Sequence, residues 1–344
     1  MLARLVRALP DDGDVVFEPK WDGFRAMAFR EGDEVDIRSR HDRPLARYFP
    51  EVVDALRRLP APEVVLDGEL VVAGADGVDF DALMLRLHPT ASRVDELSRS
   101  TPACFMAFDV LGVGDEDFRP RRFEERRARL QALLGNADQG AVVLNPMTGD
   151  RTVADWWLKG LRGVDGVVAK RRDQPYEPGR RAMLKVKLER TADCVVAGFR
   201  IFPDEPSVAS LLLGLFDDDG HLVHVGVAAT FPESLRRALL EELAPRVVPV
   251  GAHPWARGFG LGRSPVGRLK GAAGRWTPDM AQDWAPVAPD LVCEVTYDHV
   301  EHGRFRHPAR FVRWRPDRDP ASCMFDQFEE PDAVTIDDLT ARSR

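Results

Sequence analysis

The sequence predicts an α+β protein in two domains: antiparallel sheets with flanking helices, followed by a small β-barrel. Length is one reason, since roughly 100–200 residues make one domain and this chain has 344. Composition is another, because 44% of the residues are apolar, which is enough for two cores. Short strands and helices alternate in the first half, and strands dominate afterwards. We therefore predict domains at residues 1–190 and 191–330, followed by an acidic tail at 331–344.

Local patterns predict the elements of the first domain. Phe24 to Phe29 and Val35 to Arg38 flank a turn-forming Glu-Gly-Asp and predict a hairpin. Apolar residues from Phe49 to Leu59 fall at helical spacing and predict an amphipathic helix. A helix rich in Arg and Glu is predicted at 123–134. Apolar runs predict further strands at 64–72, 104–110, 164–170 and 183–187.

The second domain is predicted to consist mainly of strands. One helix is expected at 232–243, with its leucines on one face, and a stretch rich in Gly and Pro follows at 249–274. Several short strands with one helix and long loops are typical of a barrel of the oligonucleotide-binding (OB) type. The predicted strands are 192–202, 208–216, 222–230, 291–300 and 311–314.

Charge points to nucleic acid locally but not in total. The formal net charge is −8, whereas nucleic-acid-binding domains are usually basic. Residues 256–276 nevertheless carry five basic side chains and no acid, and residues 304–318 carry six arginines and one acid. Because phosphate contacts are local, we expect the first of these stretches to contact a DNA backbone through Arg263, Arg268 and Lys270.

The remaining composition excludes several classes of protein. The four cysteines are dispersed and form no C-x-x-C pair, which argues against a zinc site or a disulfide framework. Residues 1–10 lack the apolar segment of a signal peptide. No apolar stretch is long enough to span a bilayer. We therefore expect a cytoplasmic protein with no membrane partner.

The segment with the clearest chemistry is 18–25, Glu-Pro-Lys-Trp-Asp-Gly-Phe-Arg, directly after an apolar strand. A lysine amine attacks phosphorus only when deprotonated, and its unperturbed pKa of about 10.4 leaves few molecules neutral at pH 7. Burial and neighbouring cations lower that pKa. Arg25 and two lysines further along could supply the positive charge, and Asp22 could orient the amine. The pattern favours Lys20 as a nucleophile.

Other charged and aromatic residues could complete such a site. Arg40 could reach a ribose or a 5′-phosphate, and Phe108 could stack on a purine. Glu69 lies between apolar strand residues, where a carboxylate needs a hydroxyl, a cation or water. Lys185 and Lys187 alternate along a strand and share a face, where a triphosphate would fit between them. Taken singly, each could instead be a solvated charge, a buried salt bridge or a core aromatic.

Taken in order, these segments resemble motifs I, Ia, III, IIIa, IV and V of the covalent nucleotidyltransferase superfamily, whose members adenylylate or guanylylate their own lysine. The six segments are 20–25, 39–40, 67–70, 108–109, 165–170 and 184–187. The resemblance covers nearly the whole chain and is closest to the short stand-alone bacterial ATP-dependent DNA ligases. Residues 306–318 resemble the last motif of that family, motif VI, on its OB domain.

The resemblance implies an N-terminal nucleotidyltransferase (adenylation) domain, an OB-fold domain, and a monomer that uses ATP to seal nicked double-stranded DNA, in DNA repair. Lys20 would carry AMP, assisted by Asp22 and Arg25. Mg²⁺ or Mn²⁺ would bind at Glu69 and Asp165. The nucleotide would be held by Glu18 near the adenine, Phe108 stacked on it, Glu69 at the ribose, Arg40 at the nucleotide or the DNA 5′-phosphate, and Lys185 and Lys187 at the α-phosphate.

The same resemblance gives roles to motif VI and exposes two departures from the family pattern. Arg315, Asp317 and Arg318 would orient the departing pyrophosphate as the OB domain closes over ATP. Motif IV usually carries glutamate, so Asp165 is one methylene short, which affects metal position or affinity. Motif VI usually ends in lysine, where Arg318 keeps the charge but changes its geometry.

Several alternatives remain compatible with the motifs. An RNA or RNA/DNA-hybrid end ligase would use the same residues. A capping guanylyltransferase would prefer GTP over ATP in forming the covalent adduct. An NAD-dependent ligase is disfavoured, because such an enzyme needs zinc-finger cysteines and a preceding nicotinamide domain. A non-catalytic OB protein with an inactive nucleotide site is disfavoured by the set of Lys20, Glu69, Lys185 and Lys187.

Overall fold

The computed structural model describes residues 1–328 except 12, 75–76, 89, 136–139, 160, 162, 203 and 257–283. The chain divides into two compact units, Met1–Leu188 and Glu189–Glu330. The predicted acidic tail at 331–344 and most of the predicted basic loop lie outside the described residues. Within the described residues, no helix is long and apolar enough to cross a membrane.

The first unit combines two sheets with helices packed around them. Its helices are α1 (Pro50–Arg57), α2 (Phe80–Leu85), α3 (Ala91–Ser100), α4 (Phe123–Leu134) and α5 (Arg151–Leu158). Its strands are β1 (Ala3–Leu5), β2 (Val15–Trp21), β3 (Phe24–Glu31), β4 (Glu34–Ser39), β5 (Glu63–Gly74), β6 (Gly77–Val78), β7 (Ala103–Val113), β8 (Glu116–Asp117), β9 (Val142–Leu144), β10 (Val164–Arg171) and β11 (Met183–Val186).

The two sheets of the first unit are largely antiparallel, as the sequence predicts. One has the order β1-β11-β10-β2, and the other β4-β3-β5-β7-β8 with β6 and β9 attached to its side. The predicted hairpin is confirmed, since β3 pairs with β4 from Ala26↔Ser39 to Glu31↔Glu34. The predicted helices at 49–59 and 123–134 are confirmed as α1 and α4, whereas α2, α3 and α5 were not predicted.

A glycine-dependent irregularity in β10 positions the chemistry. The pairing of β10 with β2 shifts register between Val164 and Val167. Gly166 lies in this shift with φ +131, and a Cβ there would collide with the carbonyl oxygen of Val186. Only glycine therefore lets β11 come this close to β10. The result is that Asp165 lies between the strand that carries Lys20 and the end of β11.

The second unit is built on one antiparallel sheet with the order β14-β13-β12-β15-β18. Leu239 and Leu243 of its helix pack into the core, as the one-sided leucine pattern predicts. The fold is thus α+β with a C-terminal OB-type domain. Its elements are β12 (Arg190–Phe202), β13 (Glu205–Phe216), β14 (Leu222–Ala228), α6 (Glu233–Leu243), β15 (Ala285–Tyr297), β16 (Val300–Glu301), β17 (Arg304–Phe305) and β18 (Arg310–Trp314).

Candidate active site

A pocket of about 850 Å³ opens between the two sheets of the first unit. Strands β2, β10 and β11 of one sheet and β3, β5 and β7 of the other contribute to its wall. Alternation along β2 directs Glu18 and Lys20 to the same face. The pocket brings together the predicted site residues Glu18, Lys20, Arg25, Arg40, Glu69, Phe108 and Lys185.

Lys20 is held by an acid that it shares with a second lysine. Lys20 Nζ donates to Asp165 Oδ2 at 2.6 Å, and Lys187 Nζ lies 2.8 Å from the same oxygen. The Lys20 side chain is 28% exposed and that of Asp165 is 9% exposed. One nearly buried carboxylate therefore holds two ammonium groups at the edge of the pocket. Asp165 contacts the pocket residue Lys20, and Lys187 contacts Asp165, so both residues belong to the site.

Positive charge exceeds negative charge around this pair. Burial lowers the pKa of Lys185 from its ordinary value, and the positive charges of Lys20, Lys187 and Arg40 lower it further, while Asp165 acts in the opposite direction. Lys185 pairs in register with Val168 of the neighbouring strand β10. Such a cluster of cations is stabilised by an anion, and a phosphate chain has the charge and length to serve.

Glu69 is an acid in a setting that disfavours its charge. Burial raises its pKa to about 8, although Lys20 and Arg25 pull in the opposite direction. Glu69 pairs in register with Arg25 across β5 and β3. A carboxyl group with this pKa is mostly protonated at neutral pH, and a cation that approaches it would favour the ionised form.

The donor set of Glu69 and Asp165 fits a hard divalent cation. Both offer carboxylate oxygens, which Mg²⁺ and Mn²⁺ prefer, and Mg²⁺ usually takes one or two carboxylates plus phosphate and water. Both acids interact with Lys20. Among the described residues, the only three-residue set with metal-ligand spacing is elsewhere, at Asp217, Asp219 and His221 on the surface of the second unit. Phosphate and water would therefore complete the coordination at Glu69 and Asp165.

Arg25 is fixed to the pocket wall by a buried partner. Its Nε and one terminal nitrogen donate to Asp67 at 3.1 and 2.7 Å. Burial alone would lower the pKa of Arg25, but Asp67 more than offsets it and the pKa is raised. Tyr176 also donates to Asp67, at 2.8 Å, and was not identified from the sequence. Arg25 lies 5.6 Å from the ring centroid of Phe108, so the guanidinium and the aromatic wall are positioned together.

Glu18 is the centre of a buried polar network. Its Oε2 accepts from Lys170 at 2.7 Å and from the Asn145 side chain at 3.2 Å. Asn145 in turn accepts from the Trp21 indole at 2.6 Å. Lys170 also lies 4.7 Å from the ring centroid of Phe108. Lys170, which the sequence places beside Asp165 in motif IV, therefore supports Glu18 instead of the cation cluster.

Asn145 has no motif that would reveal it. The only local signal is that it directly follows β9, whose last residue is Leu144. Its backbone N–H donates to the Ala107 carbonyl at 2.8 Å, which extends the pairing of β9 with β7. This strand end delivers a polar side chain to the pocket wall from a position 127 residues beyond Glu18.

The predicted motif VI residues cluster in the second unit around an acid that the sequence did not indicate. Arg315 donates to both carboxylate oxygens of Asp193 at 2.9 Å and to Asp317 at 2.9–3.2 Å. Arg318 lies 3.7 Å from Asp193. The hydrogen bonds from Arg315 lower the pKa of Asp317 to about 2. The three predicted residues are therefore neighbours, held by carboxylates.

Of the predicted DNA contacts, one lies at the pocket. Arg40 is exposed at its rim, beside His41 and Arg43. Arg263, Arg268 and Lys270 lie outside the described residues. Their assignment stays a prediction.

The two-unit fold and the lysine-bearing pocket define the class of ATP-using nucleotidyltransferases to which DNA ligases belong. Residues 1–187 match the family model of the ATP-dependent DNA ligase domain. Residues 204–318 match that of the ATP-dependent DNA ligase C-terminal region. The chain therefore belongs to the ATP-dependent DNA ligase family, which confirms the resemblance seen in the motifs.

Its relatives include two mycobacterial DNA ligases of similar length. DNA ligase C of Mycobacterium tuberculosis is 45% identical over 345 residues, which cover 98% of this chain and 96% of that protein. DNA ligase C2 of Mycolicibacterium smegmatis is 48% identical over 337 residues, covering 96% of this chain and 94% of that protein. A solved Lig E DNA ligase superposes with a TM-score of 0.55 at 17% identity, covering 91% and 98% of the two chains, which supports the fold.

Proposed function

We propose that this ligase seals nicks in duplex DNA through an AMP group carried on Lys20. The observation that carries the proposal is the position of Lys20 Nζ, on the pocket wall beside Asp165 and among cations. Nucleotidyl transfer depends mainly on positioning and on neutralising charge. The described pocket positions Lys20 and surrounds it with cations that can neutralise phosphate charge.

In the first step, Lys20 Nζ attacks the α-phosphorus of ATP. The N–P bond forms as the bond from the α-phosphorus to the oxygen that bridges it to the β-phosphorus breaks, so that pyrophosphate leaves with that oxygen, and the amine loses its proton. Asp165 lies 2.6 Å from the amine, within the distance at which a carboxylate accepts a proton. The same contact must loosen before attack, because the nitrogen lone pair has to face phosphorus.

Charge on the phosphates would be neutralised by residues and by a metal ion. Lys185 and Lys187 are proposed to hold the α-phosphate, consistent with their place in the cation cluster. Glu69 and Asp165 would hold Mg²⁺ or Mn²⁺, which supplies electrostatic stabilisation of the phosphate oxygens when bound. Asp165 contacts Lys20 and Lys187 and is also proposed to bind the metal ion. Its side chain is one methylene shorter than the glutamate usual in motif IV, and we expect this difference to affect the first step more than any other departure from the family pattern.

The second and third steps use the DNA ends. A 5′-phosphate oxygen of the nick attacks the phosphorus of the lysyl-AMP, and the N–P bond breaks, which returns Lys20 as an amine. The 3′-hydroxyl then attacks the 5′-phosphorus, forms the phosphodiester and releases AMP. Arg25 and Arg40 are proposed to guide the 5′-phosphate, one fixed by Asp67 and the other exposed at the rim.

Motif VI is proposed to orient the pyrophosphate in the first step. The donors of Arg315 and Arg318 now meet the carboxylates of Asp193 and Asp317. A pyrophosphate offers the same kind of acceptor with more charge. Exchange of one carboxylate for phosphate oxygens would bring Arg315 into the reaction.

A labelling experiment tests the central step. The full chain is incubated with α-labelled ATP and Mg²⁺, and covalent label is counted for the wild type, for Lys20→Ala and for Lys159→Ala. Lys159 is an exposed lysine that directly follows α5 in the same unit and serves as the control. We expect label on the wild type and the control only. Equal labelling of Lys20→Ala and wild type would overturn the proposal.

Substrate choice is tested on matched nicks. We propose nicked DNA as the substrate, on the genomic DNA of the nucleoid in DNA repair, with the protein acting as a monomer. Sealing of nicked DNA duplex is compared with sealing of nicked RNA and RNA/DNA-hybrid duplexes of the same sequence. A preference for RNA ends would favour the RNA-ligase alternative while leaving the lysine chemistry intact.

A further inference from the structure

Two buried acids lie directly opposite each other on the neighbouring strands β5 and β7. Asp67 pairs in register with Asp109, and their side chains are 0% and 2% exposed. Like charges in this arrangement repel each other, so each acid needs a cation. Arg25 of β3 pairs with Asp67, and Arg126 of α4 donates to both carboxylate oxygens of Asp109 at 2.7 and 3.0 Å. Each acid therefore has an arginine of its own.

The two arginines differ in what their remaining nitrogens do. Arg126 is fully buried, and its other terminal nitrogen donates to the backbone carbonyls of Arg121 and Gln174 at 2.7 and 2.9 Å. Arg25 is 24% exposed and lines the pocket. It uses Nε and one terminal nitrogen for Asp67, and its other terminal nitrogen has no hydrogen-bond partner among the described residues. Arg126 is thus enclosed by the protein, whereas Arg25 keeps an amino group for a ligand.

The side chain of Arg25 belongs to the reacting part of the pocket. Arg25 and Lys20 both act on the pKa of Glu69, and all three residues line the pocket. Because a guanidinium is planar and rigid, the amino group that does not contact Asp67 points away from it. Such a group matches a phosphate oxygen in charge and in hydrogen-bonding character. Arg25 is therefore suited to the 5′-phosphate contact proposed for it above.

Tyr176 adds a further donor to Asp67. Its hydroxyl donates to Asp67 Oδ2 at 2.8 Å, the oxygen that also accepts from Arg25 at 2.7 Å. Burial and the negative charge of Asp67 raise the pKa of Tyr176, so the hydroxyl keeps its proton and remains a donor. The Tyr176 backbone N–H donates to the Arg119 carbonyl at 2.8 Å, and the guanidinium of Arg126 lies 5.8 Å from the ring centroid. The tyrosine is thus held at its backbone and ring while its hydroxyl holds the carboxylate.

We propose that Tyr176 is a positioning residue for recognition of the 5′-phosphate at the nick. Its hydroxyl fixes the Asp67 carboxylate, and Asp67 holds Arg25 by one edge so that the remaining amino group meets the phosphate. Tyr176 acts through these two residues and not by contact with the DNA. The inference rests on the proposed function, because it explains how Arg25 is held for the role that it has there.

Removal of the Tyr176 hydroxyl should weaken this recognition without removing Arg25. In Tyr176→Phe, Asp67 Oδ2 loses one of its two donors, so the carboxylate is less firmly oriented and Arg25 is less firmly held. Small displacements of a group that positions a substrate have large effects. We expect the preference for a 5′-phosphate to fall about 10-fold, the effect of losing one hydrogen bond to a charged group.

The preference is measured as the ratio of affinities for two nicked DNA duplexes of the same sequence, one with a 5′-phosphate and one with a 5′-hydroxyl at the nick. The full chain is first incubated with labelled ATP and Mg²⁺, then freed of nucleotide and metal so that no AMP is transferred during binding. The ratio does not depend on how much protein is folded or adenylylated, because both duplexes are titrated with the same preparation.

Two further variants separate a positioning role from a structural one. Tyr48→Phe is the matched control, since it removes a tyrosine hydroxyl that contacts Arg47 elsewhere in the same unit, and it should keep the wild-type ratio. Arg25→Gln removes the proposed phosphate contact itself. If Tyr176 acts through Arg25, then Tyr176→Phe should lower the ratio no further in the Arg25→Gln background.

Three results would overturn the inference. The first is an unchanged ratio in Tyr176→Phe, and the second is a wild type that binds both duplexes equally. The third is a loss in the Arg25→Gln background as large as the loss in the wild-type background, which would show that Tyr176 acts elsewhere. Absence of covalent label on the wild type in the first incubation would instead contradict the proposed function.

Discussion

The two ends of the pocket differ in how deeply their charged residues are buried and in how firmly they are held. At the base end, Glu18 and Lys170 are both 3% exposed, and Asn145 links Glu18 to the Trp21 indole by buried hydrogen bonds. At the phosphate end, Lys20 and Lys187 share Asp165 and remain 28% and 30% exposed. One end is held by a buried hydrogen-bond network, whereas the other is held by contacts that a ligand must replace.

This difference matches what each end has to do. A base is selected by shape and by hydrogen bonds that do not move, so a preorganised network suits it. Three successive transfers take place at the phosphate end, and the phosphate groups change partners at each step, so their contacts have to exchange. The Lys20–Asp165 pair and the Arg315–Asp193 pair are both exchangeable in this sense, since each joins a cation to a carboxylate that phosphate can displace.

The largest contrast between the two ends should be in stability. Lys170→Met removes the buried cation that contacts Glu18 at 2.7 Å, and breaking a buried pair by removing one partner costs about 3–5 kcal/mol. Lys187→Met removes a half-exposed partner while Asp165 keeps Lys20, so the cost should stay within about 1 kcal/mol. Urea denaturation of both variants measures the difference. Similar losses of stability in the two variants would contradict the distinction between a buried, fixed end and an exposed, exchangeable end.

A matched control sharpens this comparison. In the double variant Glu18→Gln/Lys170→Met, both buried charges are absent. Removing both members of a buried pair is much less destabilising than removing one. We expect the double variant to recover a substantial part of the stability that Lys170→Met loses.

The next effect should be on rate, at the phosphate end. Asp165→Asn keeps the size of the side chain but removes the negative charge that Lys20 and Lys187 share. We expect single-turnover formation of the lysine adduct to slow by about 100-fold, the cost of losing one aligned electrostatic contact. ATP and GTP labelling should fall by the same factor, since Asp165 does not touch the base end. A changed nucleotide ratio in this variant would contradict the separation of the two ends.

Another expected effect concerns the pH dependence of stability. The pKa of Glu69 is raised to about 8, so the folded protein binds more protons than the unfolded chain between its ordinary pKa of 4.5 and 8. Stability should therefore fall as pH rises through this range, by at most about 1.4 kcal/mol per pH unit from this group.

Glu69→Gln tests that assignment, because it resembles the protonated acid at every pH. The variant should lose the downward slope between about pH 5 and 8, and its stability relative to wild type should increase with pH. Denaturation midpoints across this range measure the effect. An unchanged slope would show that Glu69 does not carry the raised pKa.

Residues that follow a local pattern could be predicted from the sequence. Alternation in 183–187 indicates Lys185 of β11 and Lys187 directly after it, and the acid and glycine after Lys20 indicate its motif. The β3–β4 hairpin has a turn signal between two apolar runs. These signals lie within a few residues of one another, so a single sequence contains them.

The supporting residues could not be predicted, because their partners are distant in the chain. Tyr176 reaches Asp67 across 109 positions, and Asp193 reaches Arg315 across 122. Such contacts arise from how whole strands pack, which hydrophobic periodicity does not encode.

The most direct test of Lys20 as the nucleophile is to locate the AMP group on the protein. The wild-type protein is incubated with ATP and Mg²⁺, digested, and its peptides are analysed by mass spectrometry. We predict AMP on the peptide that contains Lys20 and on no peptide with Lys185 or Lys187. Modification of either of those lysines, or an unmodified Lys20 in a protein that seals nicks, would contradict the assignment of Lys20 as the nucleophile.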